Sequence, residues 1–172
     1  LLGKNNTSNK TDWQYYKSES IYIKDEWGEI YVNDITKTSK GQGKITIKDG
    51  RSNPFMGAGY TIEIEGKFVN EISKENFIEL RKDALSEPIY KVYFKDLIYE
   101  DEEINRIENG DSEIIIFQAP GFKHEEIWVF LKYLTESIFL NIYYGDETKP
   151  TVFPVEGLNQ GLKNFKRGYT KI

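Results

Sequence analysis

The chain contains no cysteine and a single histidine, His124. Without cysteine there is no disulfide, no thiol nucleophile and no Cys-ligated zinc, and one histidine is too few for a multi-histidine metal site. The longest apolar stretches, such as 114–117, have the length of a strand and fall far short of the roughly 18 residues that a membrane span needs. The sequence therefore predicts no metal site, no cofactor and no transmembrane segment.

Motifs for catalysis are also missing. The run Gly41-Gln42-Gly43-Lys44 suggests a phosphate loop, but it lacks the required spacing, and Ile45 stands where Ser or Thr should open a helix. There is no Gly-x-Ser-x-Gly elbow to supply a nucleophile. A hydrolase that uses His124 as general base is an alternative, although a histidine at a helix start is usually a surface residue. We expect no catalytic residue and no enzyme.

What the chain does contain is typical of a soluble globular protein: 172 residues, of which 38% are hydrophobic and 30% charged. Residues 1–11 are mainly Asn, Thr, Ser and Lys without apolar periodicity, which predicts a flexible tail. Residues 12–172 are predicted to form a single globular domain.

Apolar residues that alternate with polar ones predict most of this domain to be strand. Ile21 and Ile23 would pair with Ile30 and Val32 in a first hairpin whose turn contains Trp27. Gly66-Lys67 is typical of a tight hairpin turn. Further strands are expected around 45–47, 61–65, 89–94, 113–117, 139–144 and 151–155. The strand from Glu113 to Phe117 is expected to be covered on both faces.

Three segments have helical spacing. Ser73 would cap a short helix with Phe77, Leu80 and Ala84 on one face, and the segment from His124 to Ser137 is the clearest helix. A third helix would begin at Leu158. The predicted fold class is α+β and β-rich: an antiparallel β-sandwich or curved sheet of about eight strands with two or three packed helices.

Negative charge is concentrated in one segment of the chain. Between Tyr99 and Glu113 there are seven acids against Arg106 alone, a net charge of −6, whereas the whole chain carries −5. Calcium binding by this segment is an alternative, although the calcium loop of an EF-hand needs Gly at its sixth position, where this segment has Arg106. Clustered acids steer basic proteins by long-range attraction, although a solvated acidic face is the simpler interpretation. The four consecutive acids are candidate binding residues: Glu100, Asp101, Glu102 and Glu103.

Aromatic residues are concentrated near the start of the domain, and Tyr22, Trp27 and Tyr31 are candidate binding residues there. Tyr and Trp combine a flat apolar body with a polar tip, which suits protein interfaces or stacking on sugars. Ordinary cross-strand packing is the alternative. A carbohydrate-binding module that uses Trp27 is therefore one functional hypothesis.

Two short segments resemble parts of exported bacterial proteins. Phe153 to Leu162, with Gly157-Leu158 followed by Gly161-Leu162, is similar to the closing strand and helix of the invasion-associated locus B-like proteins, which have Ala at the position of Gly161 and often carry cysteines. This resemblance implies an exported, non-enzymatic sandwich. Leu1-Leu2-Gly3 resembles the end of a lipoprotein signal and implies a lipid anchor, but Lys4 replaces the anchored cysteine, and an accidental match is the alternative.

These observations predict a non-enzymatic protein-binding domain of the bacterial envelope or secreted space, with a cytoplasmic location as the alternative. The partner would be another protein, of basic charge if the acidic segment binds it. Nucleic acid is not expected because the chain lacks a broad basic field. An immunity-type inhibitor, which would use residues 99–113 against a basic toxin, is the first alternative function.

Overall fold

The computed structural model describes residues 14–19, 26–33, 43–49, 59–120, 125–145 and 150–158, and for the first two strands it describes the backbone alone. This part of the chain contains ten β-strands, one α-helix and two 3-10 helices. The 3-10 helices are Lys67–Glu71 and Phe94–Leu97, and α1 is Glu125–Thr135. The strands are β1 Gln14–Glu19, β2 Glu26–Asn33, β3 Lys44–Asp49, β4 Gly59–Gly66, β5 Phe77–Arg81, β6 Tyr90–Tyr93, β7 Asn105–Asn109, β8 Ser112–Pro120, β9 Phe139–Tyr143 and β10 Thr151–Pro154.

The larger sheet has six strands in the order β1-β2-β3-β4-β8-β7, and every pair is antiparallel. Alternation of apolar and polar residues fixes its register. Ile45 lies opposite Ile64 and Ile47 opposite Ile62, and all four side chains are buried. These isoleucines line the core face of the sheet.

The smaller sheet has four antiparallel strands in the order β10-β9-β5-β6. Ile78 and Leu80 of β5 lie opposite Ile142 and Leu140 of β9, and these four side chains are buried. Glu79 and the other intervening residues of β5 are half-buried on the opposite face.

One hydrophobic cluster contains residues of both sheets and of α1. Phe94, in a 3-10 helix, stacks on Phe117 of β8 with ring centroids 5.8 Å apart. Phe68, in the other 3-10 helix, lies 6.4 Å from Phe153 of β10. These two ring contacts join the two sheets. Each fully buried Phe side chain stabilises the fold by about 1.5–3 kcal/mol relative to the same side chain left exposed.

The β-rich prediction is confirmed, and so is the helix expected at 124–137, where α1 buries Ile127, Phe130, Leu131 and Leu134. The hairpin of 139–144 with 151–155 is also confirmed, since β9 pairs with β10. The strand at 113–117 exists, but it is not covered on both faces, because Ile114 and Ile116 are only half-buried. The predicted tail, 1–11, and the remainder of the helix predicted from Leu158 lie outside the described residues.

The helix predicted after Ser73 is wrong. The side-chain oxygen of Asn76 accepts hydrogen bonds from the backbone N–H of Ser73 at 2.7 Å and from its hydroxyl at 3.1 Å, which closes a turn and not a helix cap. The chain then enters β5 between β6 and β9. Phe77 and Leu80 have helical spacing, but Ile78 and Leu80 also have the two-residue spacing of a strand. Pairing with β6 and β9 favours the strand over the helix.

The hairpin predicted at Gly66-Lys67 is also wrong. β4 pairs with β8, far along the chain, and Lys67 starts a 3-10 helix that buries Phe68 and Val69. The first hairpin consists of β1 and β2, so its leading strand is 14–19 and not 21–24. Trp27 accordingly belongs to β2 and pairs with Ser18, instead of lying in a turn.

Candidate functional site

The predicted acidic residues form an exposed loop, Glu100–Glu103, which we call the acidic loop. Leu97 is buried just before it and Ile104, 9% exposed, just after it, so both ends are fixed to the core. The backbone N–H of Glu102 donates to the carbonyl of Tyr99 at 3.0 Å and turns the chain. All four acidic side chains of the loop are exposed.

The acidic loop leads into β7, the strand at one edge of the larger sheet. All five residues of β7 are exposed, and Ile107 retains 47% of its accessible surface. The turn to β8 passes through Gly110, whose φ of 62° is readily adopted only by glycine. Glu108 lies directly opposite Glu113, a pairing of like charges that costs stability. The negative surface therefore continues from the loop along the sheet edge.

The one cation of this segment, Arg106, is bound to the backbone of the protein itself. Its two terminal nitrogens donate to the carbonyl oxygens of Val69 and Ile72, at the end of a 3-10 helix. The Val69 carbonyl also accepts from the backbone N–H of Ile72 at 3.1 Å, and the planar guanidinium adds a charged donor to each of the two carbonyls. Arg106 thus connects β7 to the 3-10 helix.

A groove lies between the start of β7 and the segment 72–75, with a volume of about 540 Å³. Glu103 reaches Lys74 across it at 3.4 Å, although the carboxylate side chain remains 90% exposed. Such exposed pairs contribute about 0–1 kcal/mol, so Lys74 is easily displaced. The groove is lined by Ile72, Ser73, Lys74, Glu75, Glu103, Ile104 and Arg106.

Within the described ranges, no three carboxylate or histidine side chains converge as a metal site would require. No helix in the same part of the chain is both long enough and apolar enough to span a membrane. His124 lies outside the described residues, directly before α1.

The structure does not bring the aromatic candidates to the acidic loop. Tyr31 lies opposite Gln14 and Thr46, near the β1 edge, whereas the acidic loop adjoins β7. Four strand spacings, about 19 Å, separate β2 from β7. Trp27 was selected because a turn would leave it uncovered, and its place in β2 removes that reason. Tyr22 lies outside the described residues.

Sequence reasoning missed a row of rings on the outer face of the smaller sheet. Phe77 stacks on Tyr143 at 4.8 Å and meets Tyr93 edge-on at 5.6 Å, while Lys91 Nζ lies 4.1 Å above the Phe77 ring. The row could not be found because Phe77 was assigned to a helix. Since Tyr143 and Lys91 occupy its faces, Phe77 is not open for stacking on a ligand, and the row is typical of cross-strand packing.

Two polar pairs were also missed. Arg81 on the same outer face binds Glu79 at 3.0 Å, and this hydrogen bond raises the pKa of Arg81. The Tyr90 hydroxyl donates to Glu126 of α1, and burial followed by this hydrogen bond raises the pKa of Tyr90 well above its usual value. The first pair lies within β5, and the second joins β6 to α1, so we assign both to the support of the fold.

No protein family, no curated protein and no solved structure matches the chain. The resemblance to the invasion-associated locus B-like proteins therefore stays a prediction.

Proposed function

We propose that this protein is a non-enzymatic binding protein that captures a basic protein through its acidic loop and the adjoining edge of β7. The observation that carries the proposal is the arrangement of charge: four consecutive exposed carboxylates, with Arg106 engaged by backbone carbonyls. A surface of one sign raises the association rate with a partner of opposite sign. The like-charged pair Glu108–Glu113 also fits a surface selected for binding at a cost in stability.

An immunity-type inhibitor is the specific form of this function that the acidic loop favours. A toxin that cleaves nucleic acid needs a basic cleft for phosphate groups, and consecutive carboxylates at the end of a fixed loop can fill such a cleft. The resemblance of Phe153 to Leu162 to exported bacterial proteins favours the bacterial envelope or the secreted space as the place of action. The two sheets with their shared core support a sandwich architecture, which would hold the loop rigidly.

The test compares three forms of the protein as bait in an extract of the cells that produce it. Glu100→Lys/Glu102→Lys reverses two charges of the acidic loop, and Glu87→Lys/Glu136→Lys reverses two exposed charges elsewhere. We expect the wild type and the second variant to retain the same basic protein, identified by mass spectrometry, and the first variant to lose it.

The captured protein is then purified and titrated calorimetrically. We expect the loop variant to bind at least ten times more weakly than the matched control, and 0.5 M NaCl to weaken wild-type binding because screening shortens the range of the charges. A partner that binds all three forms equally would refute the role of the acidic loop.

A further inference from the structure

We propose that β7 binds an extended segment of the basic partner by β-strand addition, with one Lys or Arg side chain of that segment in the groove beside Glu103. This inference rests on the proposed function and adds the mode of recognition. In strand addition, backbone hydrogen bonds to a sheet edge supply affinity, and pockets for alternate side chains supply specificity.

The edge of β7 is available for such pairing. β7 is outermost in the larger sheet, and each of its five residues is exposed. On the outer side of an edge strand, alternate N–H and C=O groups point away from the neighbouring strand. In the described part of the chain, β7 makes no backbone hydrogen bonds outside its ladder with β8.

The edge has few of the devices that usually protect such strands. β7 contains neither Lys nor Pro, and Ile107 offers an apolar side chain that is 47% exposed. The remaining deterrent is negative charge, from Glu108 on the strand and from the acidic loop before it. Negative charge repels a second copy of this chain at the same edge, whereas it attracts a basic segment. The occupant of the edge is therefore a basic segment of another protein.

The groove supplies the pocket for a side chain of that segment. Ile72 and Ile104 provide apolar walls for the stem of a Lys or Arg. The Glu103 side chain is 90% exposed, and among the described residues its ion-pair partner is Lys74, at 3.4 Å. Glu75 is paired with Lys95 at the same distance. An incoming cation can displace Lys74 at Glu103 with little loss, because the existing ion pair is weak.

The probe for the test is a capped seven-residue peptide of alternating Lys and Val. Its control is the diastereomer with D-residues at every second position, which has the same charge and composition but disrupts strand pairing. We expect the all-L peptide to bind the full chain at least ten times more tightly than the diastereomer, by fluorescence anisotropy. We also expect its binding to slow hydrogen exchange at the outward amides of β7, followed by NMR.

Two variants of the protein test the groove and the charge. Glu103→Gln should weaken the all-L peptide about five- to tenfold, and Glu136→Gln, on exposed surface elsewhere, should leave it unchanged. Equal affinity for both peptides, or unprotected β7 amides, would overturn strand addition while leaving capture by charge intact. Failure of both peptides to bind would also overturn it, whereas the proposed function is decided separately by the capture experiment.

Discussion

Phe68 occupies the space that a side chain on Gly43 would need. A Cβ atom on Gly43 would stand 2.7 Å from Cε1 of Phe68 and 2.8 Å from Cζ of Phe153. Both rings are fully buried and cannot swing into solvent. Gly43, in the run that resembles a phosphate loop, thus permits close packing at the start of β3.

Gly43→Ala should therefore destabilise the fold by about 1–3 kcal/mol, the usual cost of overpacking a core. The measurement is urea unfolding followed by tryptophan fluorescence. In the double variant Gly43→Ala/Phe68→Leu, the smaller side chain relieves the contact of the methyl group with Phe68, while the contact with Cζ of Phe153 remains. The two substitutions together should then cost less than the sum of the single changes. Strict additivity would show that the contact is not the cause.

Removal of the Arg106 guanidinium should destabilise the protein by about 1 kcal/mol, because the carbonyls of Val69 and Ile72 each lose a charged donor, although the Val69 carbonyl keeps its bond from the backbone N–H of Ile72. Arg106→Lys should recover little of this, since an ammonium group cannot satisfy both carbonyls with a planar fork. Lys74→Gln serves as the comparison, since its ion pair is exposed. In urea denaturation, we expect Lys74→Gln to lose less than half the stability that is lost when the Arg106 guanidinium is removed. Equal losses of stability in the two variants would contradict a specific role for Arg106.

The bond between Tyr90 and Glu126 should appear in the pH dependence of stability. The folded state raises the pKa of Tyr90, so its hydroxyl keeps its proton at pH values where the unfolded chain releases it. This contribution is complete below about pH 10, the ordinary tyrosine value, and is lost as the pH rises above it.

The measurement is urea unfolding at pH 8 and pH 10.5 for the wild type and for Tyr90→Phe. We expect the free energy of unfolding to fall more steeply with pH in the wild type than in Tyr90→Phe. The difference between the two slopes should correspond to at most one proton released on unfolding. Parallel slopes would show that Tyr90 ionises alike in the folded and unfolded chains.

The spacing of apolar residues predicted those elements whose spacing fits only one kind of secondary structure. Ile45 and Ile47 alternate without ambiguity, and the spacing of Ile127, Phe130 and Leu134 fits only a helix, so β3 and α1 were found. β5 was missed because its apolar residues satisfy both periods, and only pairing with β6 and β9 decides between them.

The same distinction applies to the candidate site. The charge of the acidic loop was readable from the sequence, since four consecutive acids have few ways to be buried. The groove could not be predicted from the sequence, because Arg106 and Ile72 are 34 positions apart and are brought together by the folded sheet, in which β7 pairs with β8. Trp27 was predicted in a turn because Ile21 and Ile23 suggested the leading strand of the first hairpin, whereas the strand that pairs with β2 is Gln14–Glu19.

Reversal of one charge at the edge of the sheet should separate stability from binding. Glu108 lies directly opposite Glu113, so Glu108→Lys replaces a repulsive cross-strand pair with an attractive one and should stabilise the fold by about 0.2–1 kcal/mol. The gain should shrink in 1 M NaCl, where charges are screened within about 3 Å. The same variant should bind the basic partner more weakly, because it places a cation in the middle of the binding edge. Urea unfolding and calorimetric titration of one preparation measure both effects. A variant that gains stability and keeps full affinity would show that β7 lies outside the binding surface.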